Sequence, residues 1–568
     1  MLPLHLITFV VMKNNALLPK ISLNLIFCFI VLLGFTQQKK MNISQKKEGK
    51  DIPRPKLVVG LMVDQMRWDF LYRYQERYVE NGFKRLLREG FACENTQISY
   101  AQTVTAPGHA SVYTGTTPAI HGIMGNDWYD RKQNKLVYCV EDDSVKPVGG
   151  NPNAQPMSPR NMKVTTLGDE INLAFNFRSK VVGIAIKDRG AILAAGHTGD
   201  AYWYDSKTGS FITSTHYYDQ LPGWVNIFNE RKLVDSLYNL DWNTLYPIET
   251  YVQSDKDNVA YEGRYIHEKE PVFPHILKNQ VGTNYGTIGA TPYGNTLTLA
   301  FAKAALEAEQ LGKDNITDLL AVSLSSPDYI GHQFGPNSIE IEDTYLRLDK
   351  ELAVFFDYLD AKVGKGQWTF FITADHGVAH VPGFLAKHKV PVSTINLNTK
   401  VINEIIKTKY KIPTAIIAAT NYHLYLDHKA IDSTGADKET VITTIITELN
   451  KDTAVWMAFE AKELNETPMP AEIRERFAKG MNPELSGDII VVLKSGYFSG
   501  GRTGTTHGSW YPYDAHIPLV FMGWGIRKGY SFKPTWIIDI APTISALLRI
   551  QPPSGTLGNP IPEITDLR

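Results

Sequence analysis

The feature that most constrains the fold is a set of short, almost wholly apolar runs that each end on a polar or charged residue. Leu57 to Val63 is rich in β-branched residues and ends at Asp64. Lys180 to Ile186 runs into Lys187, Asp318 to Leu324 into Ser325 and Asp328, and Trp368 to Thr373 into Asp375. Asp488 to Leu493 and Ile517 to Met522 are two more. Runs of this length without polar alternation predict strands buried on both faces. Helical patterns lie between them, at Trp68 to Glu89, Thr296 to Leu311 and Ile339 to Val363. Strands alternating with helices predict an α/β fold, with a doubly wound, mostly parallel central sheet and helices on both faces. In such sheets ligands bind beyond the carboxyl ends of the strands, so the polar residues collected there are site candidates.

The chain has 568 residues, 43% hydrophobic and 21% charged, which is globular composition. Its formal net charge is -1. No basic field favours nucleic acid and no acidic excess favours disorder. An anion would have to be met by local charge, from metal ions or a few placed side chains.

Lys20 precedes an apolar run from Ile21 to Phe35, which Gln37, Gln38, Lys39 and Lys40 then end. This is the layout of a secretory signal, and it is short of the roughly 20 apolar residues of a spanning helix. Residues 1–38 are read as a signal peptide or an uncleaved N-terminal anchor, which implies export to the periplasm. Residues 39–55 read as a polar linker, and the catalytic domain as 56–568. Two segments differ from the alternating pattern. One, around 190–290, is rich in Tyr, Trp, Asn, Asp and Gly and reads as a cap insertion. The other, around 385–485, is irregular apart from Lys438 to Leu449 and Ala471 to Ala478.

Of three cysteines, Cys28 lies in the signal. Cys93 and Cys139 fit one disulfide in an exported chain or two small buried hydrophobes, and both readings stand. Trp128, Tyr129 and Trp203 fit a site entrance or the core equally.

The chemistry concentrates in five segments: Asp64-Gln65, Thr103 to His109, Ser326 to His332, Thr373 to Gly377, and Thr506-His507-Gly508. Asp328 and His332 are four apart, so one helical turn aims both at one ion. Asp375 and His376 are adjacent at a strand end. With Asp64 and His507 there are three aspartates and three histidines, a donor set that suits two zinc ions with open positions. Taken singly, an Asp at a strand end is an ordinary cap or turn former and a lone His an ordinary core residue. Their conjunction at several strand ends points to a metal centre. Thr105, two residues before Pro107, falls at a helix start, where backbone N–H groups and the dipole favour anions. It reads either as an N-cap or as a metal-bound nucleophile.

On these motifs the chain resembles the alkaline phosphatase superfamily and, within it, the bacterial exported phosphate monoesterases of the PafA type, which use a Thr nucleophile. The likeness runs from about Lys56 to the C-terminus and includes Trp536 to Thr543. It implies one zinc held by Asp328, His332 and His507. It implies a second held by Asp64, Asp375 and His376, with Thr105 Oγ as reactive ligand. Asn126 matches the amide that contacts a phosphoryl oxygen. Lys187 and Arg189 match the pair that marks the monoesterase branch. Two apart in an extended segment, they would share one face, and their charge favours a dianionic phosphoryl group. The implied substrates are small phosphate monoesters and the product inorganic phosphate, with no nucleic acid bound. The nearest rival is a phosphodiesterase or nucleotide pyrophosphatase of the same superfamily, which would lack the Lys/Arg pair. A sulfatase calls for Cys or Ser at position 105, and the phosphoglycerate mutases of this resemblance use Ser. A non-catalytic exported metal-binding protein is the alternative of a different class.

Overall fold

A run as apolar as Leu57–Val63 is stable only where neighbours cover both its faces, and every residue in it is buried. The structure is a computed structural model and describes residues 52–566 apart from 396 and 502. The signal or anchor read at 1–38, and most of the linker at 39–55, lie outside those residues.

Ten strands form the central sheet. In chain order they are β1 (Leu57–Val63), β2 (Phe91–Cys93), β3 (Pro147–Val148), β4 (Val181–Ala185), β5 (Asp200–Asp205), β6 (Ser210–Ser214), β7 (Asp318–Leu324), β8 (Trp368–Thr373), β9 (Leu519–Gly523) and β10 (Gly529–Ser531). Their order across the sheet is β10-β2-β9-β8-β1-β7-β4-β5-β6-β3. The five central strands, β8 to β5, are mutually parallel, with Leu57 opposite both Asp318 and Trp368. On one side β9 runs antiparallel to β8 and to β2, and β10 is parallel to β2; on the other side β6 runs antiparallel to β5 and to β3.

Six helices position the site: α1 (Thr105–Thr114), α2 (Asp188–Ala195), α3 (Tyr293–Ala308), α4 (Ser326–Phe334), α5 (Ile339–Leu359) and α6 (Ile540–Leu548). The chain steps from β4 through α2 to β5 toward one edge, and from β7 through α5 to β8 toward the other. Right-handed crossovers therefore put α2 and α5 on opposite faces. Helices α1 and α2 pack together and α6 packs on α1, while α3 and α4 pack on α5.

Four expectations change. The stretch from Trp68 to Glu89 is not one helix. It breaks into Phe70–Arg73, a 3-10 turn Gln75–Arg77, and Phe83–Glu89. The Asp349 carboxylate accepts from the backbone N–H of Val79 at 2.5 Å and of Phe83 at 2.7 Å, so a tertiary contact replaces the helical bonds there. The strand predicted at Asp488 to Leu493 exists as Ile489–Leu493 but lies outside the central sheet. It joins Ile416–Thr420, His423–Leu426 and Val455–Glu460 in a separate antiparallel sheet. With helices Thr399–Tyr410 and Lys438–Leu449, that sheet encloses its own apolar core, so much of the region read as irregular is an organised α/β unit. The stretch read as a cap from 190 opens with α2, β5 and β6, which belong to the central sheet. Its aromatics Tyr202, Phe211, Trp224 and Phe228 pack around Phe301 of α3.

Cys93 and Cys139 are both free and buried, in different core clusters. Trp128, Tyr129 and Trp203 are core residues of the second of these clusters.

Candidate active site

The strand ends deliver the site. Asp64 follows β1, Lys187 follows β4, Asp328 lies in the first turn of the helix after β7, and Asp375 follows β8. The Asp64 N–H donates to Leu324 O at 3.1 Å, which locks the ends of β1 and β7 together. All four carboxyl-end residues are buried.

Two groups of three could each hold a cation. Asp328, His332 and His507 form one; Asp64, Asp375 and His376 form the other, with ligand atoms inside each group within 4.8 Å of one another. In the first, the His332 and His507 Nε2 atoms lie 3.2 and 3.5 Å from Asp328 Oδ1. In the second, His376 Nε2 lies 3.6 Å from Asp64 Oδ1 and 3.5 Å from Asp375 Oδ2.

The imidazoles are set for metal binding by the atoms behind them. Nδ1 of His332 donates to Thr505 O at 2.9 Å, that of His376 to Gly377 O at 2.9 Å, and that of His507 to Thr103 O at 2.7 Å. A carbonyl only accepts, so each Nδ1 carries the proton and each Nε2 turns its lone pair inward. Burial, followed by the imidazolium-disfavouring presence of His376 and His332, holds His507 well below its ordinary pKa. Burial also lowers His376.

The carboxylates record the same demand for positive charge. Burial, then the charge of Asp375, pushes Asp64 well above its usual range, and Lys187 offsets this only in part. Burial works against the Asp375 and Asp328 anions too, but neighbouring histidines and Lys187 outweigh it and hold both low. Among the described residues, Asp64 Oδ1 and Asp375 Oδ2 are buried without a hydrogen-bond partner. Orphaned carboxylate oxygens facing inward-turned imidazole lone pairs fit divalent cations, and three protein ligands per group leave positions open for reaction.

Lys187 spans the two groups. Its Nζ donates to Asp64 Oδ2 at 2.7 Å and to Asp328 Oδ2 at 2.5 Å. Arg189 diverges from it, because the chain turns helical at Asp188. The two therefore do not share one face of an extended segment. Arg189 Nη1 donates to the Tyr138 hydroxyl at 2.9 Å, which itself donates to Asp188 Oδ1 at 2.6 Å. Arg189 Nε is buried with no hydrogen-bond partner among the described residues.

Thr105 is the first residue of α1, and the cap position belongs to Val104. The buried Thr105 hydroxyl makes no capping bond and instead lies 3.5 Å from His376 Nε2. The helix start offers an anion less backbone than its position suggests. Ala106 N–H donates to Asn126 Oδ1 at 3.0 Å, Pro107 has no N–H, and Gly108 N–H bonds Val104 O at 3.1 Å. Engaging Asn126 through its oxygen leaves its Nδ2 as the donor beside Thr105. A cleft of about 420 Å³ opens in front of Asn126, His332 and His507, walled on its other side by Leu397, Ala419 to Tyr422 and Ser499 of the inserted unit.

Two residues without an assigned role in the sequence belong here. Gln65 has a positive φ of 67° and buries its amide between the groups. Its Nε2 donates to Asp328 Oδ1 at 2.6 Å and its backbone N–H to Asp375 Oδ1 at 3.2 Å. His109 lies one turn beyond Thr105, donates to Thr105 O at 2.9 Å, and sits 3.3 Å from Asp375 Oδ2. The four-residue spacing from Thr105 was a readable signal for His109. Tyr138 offered none.

Comparison with known proteins places this geometry. The model of the family "Type I phosphodiesterase / nucleotide pyrophosphatase" matches residues 58–514. Alkaline phosphatase PhoV of Synechococcus elongatus is 49% identical over 549 residues, covering 96% of this chain and 98% of that protein. Alkaline phosphatase PafA of Elizabethkingia meningoseptica is 49% identical over 539 residues, 94% of this chain and 98% of that protein. A crystal structure of PafA superposes with a TM-score of 0.89 at 50% identity, covering 90% of this chain and 99% of that one. Another PafA structure carries substitutions at a threonine, an asparagine, a lysine and an arginine, in that chain order. A Myroides odoratus protein named calcium-transporting ATPase is 50% identical over 520 residues, 90% of this chain and 95% of that protein. The matched family and the identity over nearly the whole chain show that this protein belongs to the alkaline phosphatase superfamily, within its type I phosphodiesterase / nucleotide pyrophosphatase family and alongside the PafA and PhoV alkaline phosphatases.

Proposed function

We propose that the chain is a metal-dependent alkaline phosphatase that hydrolyses phosphate monoesters through a phosphothreonine intermediate on Thr105. The observation that carries this reading is a pair of three-residue ligand groups bridged by Lys187. The Thr105 hydroxyl lies against one of them, and Asn126 is held at the start of the Thr105 helix with its amide nitrogen free. The solved PafA variant is altered at a threonine, an asparagine, a lysine and an arginine, the residue types and order of Thr105, Asn126, Lys187 and Arg189.

We assign one zinc to each ligand group; bound there, the two ions would promote ionisation of the nucleophile and neutralise charge on the attacking and leaving oxygens. Thr105 Oγ forms the bond to phosphorus as the ester P–O bond breaks and the alcohol departs. Water then forms a new P–O bond, the Thr105 Oγ–P bond breaks, and inorganic phosphate is released. Asn126 Nδ2 donates to a phosphoryl oxygen, and the start of α1 adds its dipole. Lys187 and the partnerless Arg189 Nε favour a transferred group with two negative charges over one with a single charge, which selects monoesters over diesters. The name of the Myroides relative is compatible with this chemistry, because the terminal phosphoryl group of ATP is also a dianionic transferred group, with ADP as the leaving fragment. The apolar run at 21–35 supports a periplasmic location.

Rates on a monoester and a diester that share one leaving group test the assignment. A higher kcat/KM on the monoester is expected. A clear diester preference would favour a phosphodiesterase.

A further inference from the structure

The inserted antiparallel sheet reaches the site through a single turn. Strands Ile416–Thr420 and His423–Leu426 are joined by Asn421 and Tyr422, with Thr420 paired to His423. Both turn residues have positive φ, 50° and 63°, the signature of a type I′ hairpin turn. Glycine meets that demand most cheaply, and a tyrosine there is strained. The strain is held in place: the Tyr422 hydroxyl accepts from Ser499 N–H at 3.0 Å. Asn421 reaches outward, and its Nδ2 donates to Asp127 O at 2.9 Å. The same amide lies directly on Gly125, where an added Cβ would meet Asn421 Nδ2 at 2.1 Å. Asn421 therefore grips Gly125 and Asp127, the two neighbours of Asn126. On its inner side Asn126 is fixed through Ala106 N–H and through its own carbonyl, which accepts from Cys139 N–H at 2.9 Å. The cleft between the turn and the ligand groups is lined by Asn421, Tyr422 and Asn126 together.

We propose that Asn421 is a positioning residue for the reaction: its side-chain amide clamps the Gly125–Asp127 backbone so that Asn126 Nδ2 is aimed at the phosphoryl group. This rests on the reading of Asn126 as a phosphoryl contact. It makes the inserted unit a part of the catalytic apparatus, since removing one amide from its turn loosens a donor on the central domain. A glycine at position 421 would relieve the turn, so the turn alone does not call for Asn. An amide that tolerates the left-handed conformation and also spans to Asp127 O does.

Two variants separate the clamp from the turn. Asn421→Gly keeps the positive-φ turn and removes the amide. Asn421→Asp keeps the shape against Gly125 but presents an acceptor to the Asp127 carbonyl. Each is expected to lower monoester kcat/KM about ten-fold and to raise the Ki for inorganic phosphate by a similar factor, with the unfolding midpoint of the full chain kept. In an Asn126→Ala background either change is expected to cost less than about two-fold, because the donor being aimed is gone. Losses that multiply in the double variants would overturn the clamp while leaving Asn126 as a phosphoryl contact. So would an Asn421→Asp enzyme with wild-type kcat/KM and Ki. An Asn126→Ala enzyme of wild-type kcat/KM would instead remove the phosphoryl-contact reading, and the clamp with it.

Discussion

The rings of His376 and His507 stack face to face, with centroids 3.5 Å apart and planes 15° apart, although each histidine belongs to a different ligand group. Their Nδ1 protons are spent on carbonyls of Gly377 and Thr103, so the lone pair of His376 Nε2 is left for the Asp64 and Asp375 side and that of His507 Nε2 for the Asp328 side. The two groups share a wall. Two ions held there would act on one substrate.

Metal removal should cost stability as well as activity. Without cations, Asp64 Oδ1 is left buried with no hydrogen-bond partner among the described residues, and Asp375 Oδ2 with only the long contact to His109, which is unfavourable. A chelator is expected to abolish turnover and lower the melting temperature, and zinc to restore both. A ligand at a thousandfold excess over its Kd contributes about 4 kcal/mol per site. Calorimetry with and without chelator measures this, and an unmoved transition would count against cation binding at these groups.

Thr105→Ala should keep the metals and lose the chemistry. The hydroxyl caps no helix and contacts only the His376 edge of the site, so its removal leaves the ligand geometry intact. A fall in kcat of roughly a thousand-fold or more is expected, with metal content by elemental analysis unchanged. Wild-type turnover would exclude Thr105 as the nucleophile.

Tyr138→Phe should act through Arg189. The lost hydroxyl holds Arg189 Nη1 and is itself held by Asp188. Hydrogen bonds to charged groups are worth about 1.5–3 kcal/mol, so monoester kcat/KM should fall about ten-fold. Diester kcat/KM should change less, and the ratio of the two is the measurement. An unchanged ratio would detach Tyr138 from phosphate selection.

Gly108→Ala should wedge α1 away from β8. A Cβ on Gly108 would sit 2.5 Å from both the Cβ and the carbonyl oxygen of Asp375. Backbone cannot yield as a flexible side chain does, so a loss of about 2–3 kcal/mol is expected in denaturant unfolding. Turnover should fall with it, because the displaced helix carries Thr105. Full stability and activity would contradict the close approach.

The buried His275 predicts a pH window for stability. Its Nδ1 faces Glu268 at 3.0 Å and its Nε2 faces Glu340 at 3.2 Å, with Asp257 also near. Burial opposes protonation, but Glu268 and Glu340 outweigh it and raise the pKa to about 9. A raised folded-state pKa stabilises fully below the unfolded value, about 6.5, and the contribution disappears as pH rises through about 9. The stability gap between wild type and His275→Asn should therefore be largest near pH 6 and narrow toward pH 10. A gap that widens would reverse the assignment.

The strands that build the site were readable because they are buried on both faces. Asp318 to Leu324 and Trp368 to Thr373 appear at their predicted bounds for that reason. The same apolarity could not tell which sheet a strand joins, so Asp488 to Leu493 was placed in the wrong one. Motif spacing paired Asp328 with His332 and Asp375 with His376 and counted Asp64 and His507 beside them, and the structure groups His507 with the first pair and Asp64 with the second. Contacts set by distant chain were not legible. Asp349 breaks the helical pattern of Trp68 to Glu89, Tyr138 meets Arg189 across a fold, and Gln65 owes its role to a backbone angle. The free state of Cys93 and Cys139 is likewise a matter of position, which spacing does not encode.

The locked histidines also bear on how the molecule comes into being. The carbonyl behind His507 belongs to Thr103, and the one behind His332 belongs to Thr505, so each anchor bridges distant parts of the chain. Asp64 enters early during synthesis and His507 late. Neither pair can form while the chain is partly made, and contacts of such long sequence separation are slow to close. A nascent chain would therefore carry its first aspartate, its threonine and its lysine for most of translation with no hydrolytic centre assembled. The group of Asp328, His332 and His507 is complete only once the chain as far as His507 has been made and folded.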